Sequence, residues 1–175
     1  MRILNIILVL FLFSFTTTAA IRYVSKTGSS TPPFTSWETA SDSIQKCINI
    51  CVDGDTVIVA NGVYKESLII NPAISLIGSS MDSCIIDGRG LSLYTITLNN
   101  NMIVSGLNII GRSLDGYSYC ILGGRLLDSY KINNCRISNV QIGIGTYQSS
   151  DTLQNLIITN VKTGIETSCT FQTCS

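Results

Sequence analysis

Apolar and polar positions alternate in short bursts along most of this chain. Beyond Gly54, brief apolar runs recur: Val57-Ile58-Val59, Leu68-Ile69-Ile70, Ile74-Ser75-Leu76, Cys84-Ile85-Ile86, Tyr94 to Leu98, Ile103-Val104, Leu107-Asn108-Ile109, Ile132, Cys135-Arg136-Ile137 and Leu156-Ile157-Ile158. Between them stand Asn-Gly, Gly-Ser-Ser, Asp-Gly and Asn-Asn-Asn, which are turn chemistry. Each run therefore reads as a short strand, and Ile21–Val24 reads as one more. One segment has another rhythm. Trp37, Ala40 or Ser41, Ile44, Cys47, Ile48 and Cys51 follow a 3.6-residue period, which predicts a helix over 36–51. Ser36 is its expected N-cap, with Glu38 in the first turn and Gly54 as terminator after Val52-Asp53.

The end of the chain repeats itself. Asn134–Thr146 placed over Asn155–Thr167 gives seven identities in thirteen positions, at an offset of 21 residues. Asn134 meets Asn155, Asn139 meets Asn160, and Gly143 meets Gly164. The bland alternative is two unrelated loops that happen to match. A structural repeat of this length leaves no room for a helix to return the chain across a sheet, so βαβ crossovers are disfavoured. A sandwich also accommodates many short strands. Three strands joined by turns make instead one coil, and stacked coils give parallel sheets around a shared apolar interior. Roughly six such coils, about 4.8 Å apart, form a stack near 30 Å long. The expected fold is thus all-β, a single-stranded parallel β-helix, with coils over 54–167 and a tail at 168–175. Asn139 and Asn160 are expected to stack at one turn, and Gly143 and Gly164 to mark another.

Met1-Arg2, the apolar run from Ile3 to Phe15, and Thr18-Ala19-Ala20 together read as a secretory signal peptide over residues 1–20. The run is short for a membrane anchor, and no later segment approaches span length. The expectation is one secreted or cell-surface domain over 21–175. Without Arg2, ten basic side chains face eleven acidic ones, so no field favours nucleic acid. Seven cysteines (47, 51, 84, 120, 135, 169 and 174) suit either partial pairing in an oxidising compartment or use as small buried side chains. His is absent, and no closely spaced Cys pairs suggest zinc.

Three stretches carry a resemblance: YVSKTG, SIQKCINICVDGDTVIVANGVYKESLII and ISLIGSSMDSCIIDG. Together they resemble the opening of the pectin-lyase-like superfamily of right-handed parallel β-helices, as in pectinesterases and related repeat proteins. The resemblance implies a helix plugging the N-terminal end of the stack and a structural role for Glu66 in the first coil. An adjacent pair such as Lys65 and Glu66 points to opposite faces of a strand, which also argues against joint catalysis. No comparable plug is legible at the C-terminus. Cys169 to Cys174 could pin one, the edge could support end-to-end association, or the working coils of a longer enzyme could follow.

Chemistry is harder to find. Without His there is no Ser-His-acid triad or Cys-His pair, and no dinucleotide or P-loop motif occurs. No cofactor is implied. The catalytic segments of pectinesterase-like, polygalacturonase-like and pectate-lyase-like proteins are missing after Gly88. Sugar hydrolysis needs two facing carboxylates, and elimination needs a base with charge neutralisation. Polar candidates for a sugar-contact site are Asp87, Arg89, Arg112, Asp115 and Asp128, with Arg125, Lys131 and Arg136 behind them; a scatter of solvated turn charges explains the same residues. Tyr94, Tyr117, Tyr119, Tyr130 and Tyr147 offer faces to a sugar, although packing at turns is their simpler use. The reading that follows is an exported protein without an identifiable catalytic site, interacting with extracellular polysaccharide or a surface protein. The rival is a polysaccharide-active lyase or esterase, or an inactive fragment of one.

Overall fold

Val57, Leu76, Val104 and Ile132 are register partners in one continuous column, and each is fully buried. The column belongs to the first of three parallel ladders. The computed structural model describes residues 18–114, 116–123, 129–146 and 151–167. The first ladder runs through β1 (Ile21–Val24), β2 (Thr56–Val59), β5 (Ser75–Gly78) and β8 (Met102–Ser105). It ends on the first parts of β11 (Tyr130–Thr146) and β12 (Thr152–Thr167). A second ladder joins β3 (Gly62–Tyr64), β6 (Cys84–Asp87) and β9 (Asn108–Ile110) to the middle of β11. The third joins β4 (Leu68–Ile70), β7 (Tyr94–Leu98) and β10 (Tyr119–Gly123) to the end of β11. Every pairing between these strands is parallel, and from β2 onward the chain visits the three ladders in rotation. The fold is all-β with a large parallel sheet.

Alternation explains the arrangement. In β2 the side chains of Val57 and Val59 are buried while those of Thr56 and Ile58 are less so, as the two-residue pleat requires. The same logic builds a Tyr64/Ile86/Ile109/Ile137 column in the second ladder and a Leu68/Ile96/Ile121/Ile144 column in the third. All these residues join one apolar cluster. Each such buried side chain contributes roughly 1.5–3 kcal/mol of transfer free energy. The columns continue onto Leu153, Ile158 and Ile165 of β12, where burial weakens; Ile165 is 45% exposed. Among the described residues, no strand pairs with the far edge of β12.

The opposite end is covered. Tyr23 of β1 donates its backbone N–H to Phe34 O and accepts from Ser41 N, so the 34–41 segment shields that edge. A short helix, α1 (Ile44–Ile48), packs against β1, β2 and β4. Its Gln45 side chain imitates a strand. Gln45 Oε1 accepts from Ile69 N at 2.8 Å, and Nε2 donates to Ile69 O at 3.1 Å.

Three expectations need correction. The helix covers Ile44–Ile48 and not 36–51. Ser36 and Thr39 bond each other's backbone N–H through their hydroxyls, a local turn that competes with helix. The true N-cap is Ser43, whose hydroxyl accepts from Lys46 N, and Trp37 lies 44% exposed against the Tyr23 ring. Second, Gly143 and Gly164 lie inside β11 and β12. At Gly143 the reason for glycine is contact: a Cβ there would come 2.5 Å from Gly164 O. Third, Gly62–Tyr64 forms β3 where the Asn61-Gly62 pair suggests only a turn. The signal-peptide expectation falls largely on residues 1–17, and the tail expectation on 168–175, both outside the described residues.

Candidate functional site

Asp87 closes β6 and is almost entirely buried, while Arg89 sits two residues on in the turn. The guanidinium forks onto the carboxylate: Nε to Oδ1 at 2.9 Å and Nη2 to Oδ2 at 2.8 Å, with Arg89 N adding a bond to Oδ1 at 3.1 Å. The Arg89 contact holds the Asp87 carboxyl below its usual range, against burial. A carboxylate so held is a poor proton donor near neutrality. The pair is a clamp on the turn. Arg112 is exposed in the loop after β9 and forms no ion pair with a described residue. Asp115, Arg125, Asp128 and Tyr147 lie outside the described residues. Of the three sugar-contact candidates among the described residues, Asp87, Arg89 and Arg112, the structure brings together the first two.

Other carboxylates are similarly occupied. Asp82 meets Arg136 Nη2 at 2.9 Å, and Asp42 meets Lys46 Nζ at 3.5 Å. Asp53 accepts from Ala73 N, and Asp151 from Tyr130 N, each at 2.8 Å; Asp151 stands apart, since burial raises its carboxyl above the usual range. Asp55, fully buried, binds Arg22 Nε at 3.0 Å. Glu66 serves the helix: Oε1 accepts from Ile44 N at 3.0 Å, while Oε2 accepts from Gln45 N and Ser43 Oγ, both at 2.9 Å. That arrangement satisfies first-turn donors that the helix itself cannot.

A different group of residues does converge. Tyr94 and Tyr119 are register partners at the entry of the third ladder, with ring centroids 5.8 Å apart. Tyr117, 63% exposed, meets Tyr119 edge-on at 5.9 Å. The Tyr119 ring occupies the space beside Gly145, where a Cβ would come 2.6 Å from a ring carbon. Its hydroxyl donates to Glu166 Oε2 at 2.9 Å. Burial and, after it, the Glu166 carboxylate raise the Tyr119 phenol above its ordinary range, so it remains a neutral donor. Leu93 and Ile69 are exposed on the preceding turn and on β4. The result is an aromatic strip with one carboxylate, Glu166, at its end. Flat π-faces of this kind stack on the C–H faces of sugar rings, and the hydroxyls and carboxylate take sugar O–H groups.

Separately, an open groove of about 310 Å³ crosses the entry of the first ladder, lined by Gly54, Ser75, Asn101, Ile103 and Lys131 among others. Among the described residues no three His, Cys, Asp or Glu side chains are placed to hold a metal, and no helix is long and apolar enough to cross a membrane. The described cysteines (47, 51, 84, 120 and 135) are free thiols, and all but Cys51 are buried. No family model matches the chain, and no curated protein matches it.

Proposed function

We propose that the chain is an exported, right-handed parallel β-helix of the pectin-lyase-like kind that holds a polysaccharide on its tyrosine strip without cleaving it. Rotation of the chain through three parallel ladders supports the helical closure, and the strong right-handed preference of parallel connections supports the hand. One observation carries the functional reading: Tyr94, Tyr119 and Tyr117 lie ring against ring at a ladder entry, with Tyr117 open to solvent. Pairing of Asp42, Asp55, Asp82 and Asp87 with Arg or Lys supports a binding role over a hydrolytic one.

Affinity electrophoresis through gels containing pectin, alginate or a neutral glycan tests the proposal. The wild-type protein should be retarded by at least one, and a Tyr94→Ala, Tyr119→Ala double variant should lose about tenfold or more in affinity, since each stacked ring is worth roughly a kcal/mol. New reducing ends or unsaturated products would overturn the non-catalytic reading. Equal mobility of wild type and variant in every gel would overturn the glycan reading.

A further inference from the structure

Asp55 is the most deeply buried charged side chain among the described residues, with no solvent exposure, and it lies against Ala20, just before β1. Its Oδ2 accepts from Arg22 Nε at 3.0 Å and from Val52 N at 3.1 Å. Its Oδ1 accepts from the backbone nitrogen of Ala20 at 2.7 Å. Ala20 O in turn accepts from Thr56 N at 2.9 Å, which extends the β1–β2 pairing by one residue. Ala19 and Thr18, immediately before, are exposed. Among the described residues, Ala20 is therefore the first that the fold holds on both its nitrogen and its oxygen.

Small residues permit two leader cuts here. Thr18 and Ala20 suit a cut after Ala20, while Thr17 and Ala19 suit a cut one residue earlier. The two have different consequences. A cut after Ala20 removes the donor to Asp55 Oδ1 and the acceptor of Thr56 N, leaving a buried carboxylate oxygen short of a partner. A cut after Ala19 retains both and turns the Ala20 amide into an ammonium at the same place.

We propose that an export-associated endopeptidase hydrolyses the Ala19–Ala20 bond, and that the new Ala20 ammonium forms an ion pair with buried Asp55. The inference rests on the exported reading above. Water adds to the Ala19 carbonyl carbon, the C–N bond breaks, the leader departs as a carboxylate, and the Ala20 nitrogen takes up a proton. Removal of the leader thus strengthens the fold it exposes, because a neutral N–H donor becomes a charged one.

The pairing gives a pH signature. An α-ammonium titrates at about 8 in an unfolded chain, and a neighbouring carboxylate raises that value in the folded state. Its contribution is fully present below pH about 8 and is lost as pH rises through the raised folded value. The other titratable or charged groups facing this site are Arg22 on β1 and the Cys47 and Cys51 thiols at the end of α1. A Cys51→Ser background separates thiol titration from that of the ammonium.

The test has two arms. First, the full chain is expressed in a secreting host, and the N-terminus of the exported product is read by intact mass and N-terminal sequencing. It should begin at Ala20; an exported product beginning at Ile21 or elsewhere overturns the inference alone, whereas a chain that is neither cut nor exported overturns the exported reading as well. Second, urea unfolding between pH 6 and pH 10 compares the Ala20-initiated protein with the same protein acetylated at its N-terminus, which keeps the N–H but removes the charge. The free-amine form should be favoured about tenfold in its folding equilibrium at pH 6.5, as for a one-unit pKa rise, and the advantage should vanish toward pH 10. Asp55→Asn should erase the difference. Indistinguishable free and acetylated forms at pH 6.5 overturn the ion pair.

Discussion

The side-chain amide of Asn160 donates to Oδ1 of Asn139 at 3.2 Å, and both residues hold left-handed backbone, with φ of 52° and 60°. Asn155 and Asn134 repeat the relationship at 2.6 Å, with φ of 50° and 51°. These bends lie within the continuous strands β11 and β12, redirecting the chain from one ladder to the next. Two properties of Asn are used at once: tolerance of positive φ, and an amide that can both give and receive along the stack.

The two contributions can be separated. Asn139→Gly keeps the backbone freedom and loses the amide, so its cost should be close to one hydrogen bond, about 1 kcal/mol. Asn139→Ala loses both, adding roughly 1–2 kcal/mol for a side chain in the left-handed region. Urea unfolding should therefore rank wild type above Gly and Gly above Ala. Equal Gly and Ala variants would show that the backbone geometry is not what Asn139 supplies.

Glu66 carries the N-terminal end. Its carboxylate accepts from Ile44 N, Gln45 N and Ser43 Oγ, tying α1 to the chain just before β4. Glu66→Ala strands three donors, and a loss of about 3 kcal/mol is expected, because hydrogen bonds to a charged acceptor are among the stronger ones. Glu66→Gln keeps an acceptor and should recover part of that loss. Hydrogen exchange at Ile44, Gln45 and Ile69 should rise in the Ala variant before the amides of β8 change.

How much of this is legible beforehand depends on where identity follows geometry. The 21-residue offset shows in the letters because Asn134, Asn139, Asn155 and Asn160 share an unusual backbone that few residues tolerate. The step from Ser75 to its partner Ile103 is longer, and the three paired positions share no letter because those strands need only be apolar on one side; identity survives beside them only at Asn71 over Asn99, whose amides hydrogen-bond, and at Gly78 over Gly106, too little to stand out. Tyr119–Gly123 is hidden as a strand because Cys120 and Ile121 are both buried, which breaks simple alternation. Trp37 misleads in the opposite direction, standing at helical spacing while packing on Tyr23. The Tyr119–Glu166 contact spans 47 residues of chain, so no local pattern announces it. Only the register of β10, β11 and β12 makes those residues neighbours.

Thiol chemistry should be sharply selective. Burial pushes the thiols of Cys84 and Cys120 up to about 12 and that of Cys135 up to about 11. Cys51 differs: its hydrogen-bond partner Cys47 holds it below the usual thiol range, against the effect of burial. Thiolate is the reactive form, so the native protein should be alkylated at Cys51 well before the other four described cysteines. Peptide mapping after brief iodoacetamide treatment checks this, with a urea-unfolded sample as the control for intrinsic reactivity. Early labelling of Cys84 or Cys135 in the native state would contradict the full burial of those two side chains.

The phenols set an alkaline limit. Burial raises Tyr64 to about 12, and burial together with the Glu166 carboxylate raises Tyr119. An unfolded tyrosine titrates near 10, so above about pH 10 the unfolded chain releases protons that the folded chain retains. Stability contributed by these phenols is complete below pH 10 and declines as pH rises toward their folded values. Tyr119→Phe removes one of the two groups and one hydrogen bond. It should cost about 1 kcal/mol at pH 7 and flatten the decline between pH 10 and pH 11. Tyr94, whose hydroxyl has no hydrogen-bond partner among the described residues, provides the comparison at pH 7, where Tyr94→Phe should cost little. Denaturant titrations at pH 7, 10 and 11 distinguish these outcomes, and an undiminished alkaline decline in Tyr119→Phe would remove Glu166 from its cause.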